Sequence, residues 1–118
     1  MLAASSTAKN PIVYSYNKGL NTCVDLLPDD IKETKWNEPL INWHSFDGDE
    51  ALYALNQSNG LAYNISDRSM KDMSAFLSKK EALKVLPAST AGLIGLLRFH
   101  EKEPLDADRY VAVLTAKQ

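Results

Sequence analysis

The sequence predicts a small α/β domain, a three-layer α/β/α-type unit with a short parallel sheet of about three strands. Two observations predict it. From Asp47 onward, helix-patterned stretches of ten or more residues alternate with short β-favouring runs, and helices of that length are what the return path between parallel strands requires. The chain is 118 residues long, with 45% hydrophobic and 24% charged residues, which is enough for one core without metal or disulfide staples.

The first part of the chain is the less patterned. Asn10-Pro11 opens a stretch through Tyr14 and Tyr16 to Gly19 that reads as one or two helical turns, started by Pro and closed by Gly. Residues 20–46 hold Pro28, Trp36, Pro39, Trp43 and His44 without a sustained period. They read as loop and short extended pieces packed by the two tryptophans; exposed tryptophans would instead mark a contact surface. Residues 1–45 are thus expected to form an N-terminal segment of loops and short helical pieces packing on the core, and residues 46–118 the α/β segment.

In that second segment Asp47 and Glu50 have the spacing of a capping box, and Ala51, Leu52 and Leu55 share the face of the helix that follows. Asn59-Gly60 should end it, with Gly60 in the left-handed position. Leu61-Ala-Tyr-Asn-Ile65 reads as a strand. Ser66-Asp67 caps the next helix, in which Met70, Met73 and Leu77 recur at core spacing rather than as sulfur ligands, and Lys79-Lys80 close it favourably. Lys84-Val-Leu86 is read as a brief strand. Pro87 then starts a nearly apolar helix over 88–100, where Ser89, Gly92 and Gly95 form a stripe that lets a neighbouring backbone come close. Tyr110-Val-Ala-Val-Leu114 completes the order α-β-α-β-α-β as a parallel strand covered on both faces.

Charge and composition exclude several functions. A net charge of −2 offers no basic field for nucleic acid. Cys23 is the single cysteine, which rules out an intrachain disulfide and multi-cysteine zinc sites; it reads as a small, partly buried side chain in a reducing compartment. Met1 to Ala8 lacks the charged lead and apolar region of a secretory signal, and no stretch approaches the length of a membrane span. The expected location is cytoplasmic. His44 and His100 have no metal-ligand spacing, and His100 suits a helix end. Asp29, Asp30, Asp47, Asp49 and Glu50 suit turns and caps. No catalytic residue, no Ser-His-Asp set and no metal site is expected.

One resemblance covers residues 46–118 and reaches faintly back to Asn10-Pro-Ile12 and Gly19. Asp47-Gly-Asp-Glu-Ala-Leu, Ser58-Asn-Gly60, Ile65-Ser-Asp67, Leu86-Pro-Ala-Ser-Thr-Ala91 and Val113-Leu-Thr115 follow one another as in the C-terminal part of threonine synthase. That family is similar in fold to the β subunit of tryptophan synthase, and its members bind pyridoxal 5′-phosphate between two α/β domains. The resemblance implies a family hydroxyl at Thr115, facing the cofactor's pyridine nitrogen, with Ser89 as a second hydroxyl. Both are expected to be vestigial. The ten lysines include none in the family's Schiff-base context, and the five glycines never cluster as a phosphate loop. Leu86 stands where the family usually has Glu, and Ala116-Lys-Gln118 replaces the family's glycine turn. No cofactor is therefore expected in the isolated chain.

The resemblance implies a stand-alone, catalytically incomplete segment that acts by self-association or by ligand or partner binding. The alternative is one subunit of a split pyridoxal-phosphate-dependent lyase whose N-terminal half is a separately encoded chain; a third reading is a folded relic without chemistry. A homodimer is expected, because a very small parallel sheet under an apolar helix leaves more apolar surface than a monomer usually exposes.

Overall fold

The computed structural model describes residues 1–106 and 109–117. Two strands and four α-helices make up the fold: β1 (Leu2–Ser6), α1 (Pro11–Asn17), α2 (Gly48–Gln57), β2 (Leu61–Ile65), α3 (Asp67–Glu81) and α4 (Ala91–Lys102). Short 3-10 turns lie at Pro28–Asp30, Glu38–Leu40 and Pro87–Thr90. The strands pair in parallel, from Leu2 opposite Leu61 to Ser6 opposite Ile65. The protein is thus a small α/β fold with a two-stranded parallel sheet.

The helices begin and end largely where local chemistry directs them. At α1 the Asn10 side chain accepts hydrogen bonds from the N–H groups of Ile12 (3.0 Å) and Val13 (3.2 Å), and Gly19 leaves the helix at φ 72°. At α3 the Ser66 hydroxyl accepts from the Ser69 N–H, and Lys79 and Lys80 lie in the last turn, against the negative end of the helix dipole. Met70 and Leu77 are buried. The start of α2 differs from the capping-box expectation: Asp47 makes no side-chain cap, while the Asp49 carboxylate accepts the Cys23 N–H at 2.7 Å and ties the preceding loop to the helix. Its end differs too. Asn59 takes the left-handed conformation (φ 48°), and Gly60 is needed for space, since a Cβ there would overlap the Met1 carbonyl oxygen.

The sheet departs from expectation in three places. Leu2–Ser6, within the segment read as loops and short helical pieces, is a strand. Its Leu-Ala-Ala-Ser-Ser composition has little β-propensity, so its conformation comes from pairing with β2. The brief parallel strand read at Lys84–Leu86 is reduced to one antiparallel bridge between Val85 and Lys117. Residues 110–114, expected as a covered parallel strand, form no strand; Val111 is 86% exposed and Val113 68%. A β-favouring composition cannot make a ladder without an edge to pair with. This tail instead runs to Leu86, whose N–H donates to the Ala116 carbonyl at 3.1 Å. The sheet therefore has two strands where about three were expected. Gln118, the last residue of the stretch that replaces the family's glycine turn, lies outside the described residues.

The core gathers Ile65, Met70, Ala91 and Ile94, with Ala4, Leu40, Tyr63 and Met73 packed against them. Ala4 and Leu40 come from the first 45 residues, so both segments share one core. Gly95 sets the approach of α4 to the sheet, because a Cβ there would stand 3.3 Å from both the Ala4 Cβ and the Tyr63 ring. A buried polar junction fixes the 34–37 loop. Asn37 is fully buried; its side-chain carbonyl accepts the Thr34 N–H (2.9 Å), and its amide donates to Asp67 (3.3 Å) and to the Ser6 hydroxyl (3.4 Å). The tryptophans pack less than expected: Trp43 is 45% exposed, and the Trp36 ring is flanked by the ammonium groups of Lys35 and Lys71 at 4.3 and 5.3 Å.

Candidate functional site

Pro87, with no N–H to lose, opens the 3-10 turn that leads into α4. The Thr90 hydroxyl donates to the Pro87 carbonyl at 2.7 Å and holds that turn closed. Its neighbour Ser89, 4% exposed, points at the tail. The Ser89 hydroxyl accepts the Ala116 N–H at 2.7 Å, donates to the Ala116 carbonyl at 3.1 Å, and lies 3.4 Å from the Thr115 hydroxyl. Residues 26 positions apart in sequence thus meet in one polar cluster. Ser89 is occupied by backbone, which leaves the exposed Thr115 hydroxyl as the group of this pair free to meet a ligand.

This cluster borders a cleft of about 900 Å³, floored by the start of β1 and one flank of α4 and walled by residues 110–115. Ala88, Gly92, Leu96 and Phe99 make the helical flank apolar, while Lys102, Glu103 and Asp106 supply charge elsewhere in the lining. The lining does not fit pyridoxal phosphate. Lys102 is the cleft's lysine, yet it stands 13 residues beyond Ser89, roughly 20 Å along a helix axis, several times the width of a pyridine ring. Gly92 is the cleft's glycine, with no loop of backbone N–H groups around it to hold a phosphate. Leu86, at the entry to the 3-10 turn, makes no side-chain cap and offers no polar atom.

The remaining candidates stand apart from this cleft. His44 Nδ1 lies 2.7 Å from an Asp25 carboxylate oxygen, with the Trp43 and Phe46 rings close to its imidazole. His100, expected at a helix end, accepts the Leu105 N–H on Nδ1 at 3.1 Å, which ties down the chain leaving α4. Burial pushes the Cys23 thiol up from its ordinary value; the Ser15 hydroxyl opposes this, and Asp49 and Asp25 add to it. A thiol so held is a poor nucleophile at neutral pH. The Tyr63 hydroxyl, which sequence reasoning missed, is buried without a hydrogen-bond partner among the described residues. Its pKa is raised by burial and by Glu103, against a lowering by Arg98. A tyrosine on a strand carries no sequence signal for such isolation. Among the described residues no cluster of three or more His, Cys, Asp or Glu could hold a metal ion, and no helix is long and apolar enough to cross a membrane.

Ser89→Ala should free the tail while leaving the body folded. The Ala116 N–H loses its acceptor and the Ala116 carbonyl a donor, so local stability should drop by about 1–2 kcal/mol. Amide exchange by NMR should show Ala116 deprotected with Met70 and Ile94 unchanged; equal protection of Ala116 in both proteins would show that the hydroxyl does not hold the tail. No protein-family model matches the sequence, and no curated protein matches it.

Proposed function

We propose that this chain is a threonine-synthase-like C-terminal α/β segment that is catalytically incomplete by itself and acts by self-association and ligand binding. The observation that carries this reading is the meeting of Ser89 and Thr115 across 3.4 Å at the cleft border, the two hydroxyls that the family resemblance brings into one site. With Ser89 engaged by backbone, Thr115 supplies one polar contact beside an apolar flank. The ligand chemistry that suits this is a neutral, flat, largely apolar molecule with a single hydrogen-bond acceptor, such as a nitrogen heterocycle.

Two measurements test the reading. Incubation with pyridoxal phosphate followed by borohydride reduction should give only scattered lysine adducts, because the family's lysine context and phosphate loop are missing; stoichiometric labelling of one lysine would overturn the claim of incompleteness. A thermal-shift screen of pyridine- and pyrimidine-containing fragments should yield binders weakened about tenfold by Thr115→Val, the loss of roughly one hydrogen bond. Binding that the substitution leaves unchanged would place the site elsewhere.

A second reading, one subunit of a split pyridoxal-phosphate-dependent lyase, is favoured by the same distribution of parts, since a partner chain would bring the lysine and the phosphate loop. Copurification from the native host separates the two: an N-terminal-half partner supports the second, and self-association alone supports the first.

A further inference from the structure

We propose that a second copy of this chain docks on the outer edge of β1, antiparallel and about a two-fold axis, to make a continuous four-stranded sheet in the order β2-β1-β1-β2. This rests only on the self-association arm of the function proposed above. The ladder shows which edge is open. The Leu61 N–H donates to the Met1 carbonyl and the Thr7 N–H to the Ile65 carbonyl, each at 3.2 Å. With Leu2 opposite Leu61, the odd-numbered residues of β1 make the ladder, and Leu2, Ala4 and Ser6 turn their backbone groups away from β2. The Ser6 carbonyl accepts the Lys9 N–H, but the outward N–H and C=O groups of Leu2 and Ala4 meet no partner among the described residues. On the far side of the sheet, the Asn64 carbonyl is already covered by the Arg98 guanidinium at 2.8 Å.

This edge prescribes its occupant. A row of unpaired backbone donors and acceptors is satisfied by another strand, and Leu-Ala-Ala-Ser-Ser carries no charge or proline of the kind that keeps edges apart. The row is also self-complementary. Antiparallel pairing centred on Ala4 sets Ala4 against Ala4 and Leu2 against Ser6 of the second copy, so one contact uses the same patch twice, as a closed dimer requires.

The helices agree with this arrangement. One copy's strand pair is about 9.6 Å wide at about 4.8 Å per strand, which matches the 8–10 Å spacing of packed helices, so the two α4 helices fall side by side on one face. The flank that α4 turns to the cleft carries Gly92, where an added Cβ would meet nothing within 4 Å, followed by Leu96 and Phe99. A two-stranded sheet is marginal alone, and four strands under two helices remove that weakness.

The test joins light scattering with amide exchange on the intact chain across micromolar to submillimolar concentration. A dimer is expected, with the Leu2 and Ala4 amides protected at least about tenfold more than in dilute monomer. Ala4→Pro removes an outward N–H and blocks the edge without touching the β1–β2 bonds, and should give a folded monomer. If Ala4→Pro fails to fold, the exchange of Leu2 and Ala4 in the unsubstituted protein decides. A monomer at all concentrations overturns both this proposal and self-association. A dimer whose Leu2 and Ala4 amides exchange freely overturns this edge alone and leaves self-association through another surface standing.

Discussion

Gly60→Ala should destabilise the protein by about 2–3 kcal/mol, whereas the same change at Gly92 should stabilise it by about 0.5–1 kcal/mol. Gly60 is buried between α2 and β2, and a Cβ there would overlap the Met1 carbonyl oxygen and come within 3.1 Å of the Leu55 side chain. The Met1 carbonyl cannot give way freely, because it accepts the Leu61 N–H in the first bond of the sheet. Gly60 is itself held at both ends: its N–H donates to the Leu55 carbonyl at 2.7 Å, and its carbonyl accepts the Tyr16 hydroxyl. Gly92 lies in the second position of α4 with nothing within 4 Å of the added carbon, so Ala there only reduces the freedom of the unfolded chain. Urea unfolding of the two variants checks the pair. Equal effects of one sign would mean that β1 does not pass beside Gly60.

Asn37→Ala should cost about 3 kcal/mol, a large effect for a side chain in a loop. Asn37 is fully buried, and its removal leaves the Thr34 N–H without its acceptor and takes one donor each from Asp67 and the Ser6 hydroxyl. Thr34 continues to donate to Asp67 at 2.8 Å, so the carboxylate keeps part of its shell. The junction joins the first 45 residues to the start of α3, and its loss should loosen β1 along with the loop. Denaturant unfolding gives the magnitude, and amide exchange at Ala3 and Ser5 gives the location. A change below about 0.5 kcal/mol would show that the N-terminal segment folds without this anchor.

The helices were largely legible in the sequence. Asn10 before Pro11, Ser66 before Asp67 and Pro87 before the apolar run are local devices, and each acts within a few residues of where it is written. Met70 and Leu77 were legible for the same reason: their spacing fixes the face of α3, and that face is buried. The Asp47 cap failed because a competing local partner, the Cys23 N–H, drew the acidic side chain of Asp49 into tertiary structure. Gly60 was read as a conformational glycine when its neighbour Asn59 takes that conformation, since the need for space beside Met1 is invisible until β1 is in place.

Ser89 and Thr115 are an intermediate case. The sequence marked both, through a resemblance, yet nothing in the order of residues says that Ser89 would be spent on the Ala116 backbone. Only the path of the tail settles that.

The sequence by itself determined where the helices start, which of their faces turn inward and which chemistries the residue types exclude. The tertiary structure alone decided the strands. A helix closes its hydrogen bonds among residues four apart, so its signals are local, whereas a strand takes its bonds from a segment that can lie anywhere in the chain. Leu2–Ser6 is a strand with poor propensity because Leu61–Ile65 lies beside it, and Tyr110–Leu114 is not a strand despite good propensity because no edge lies beside it.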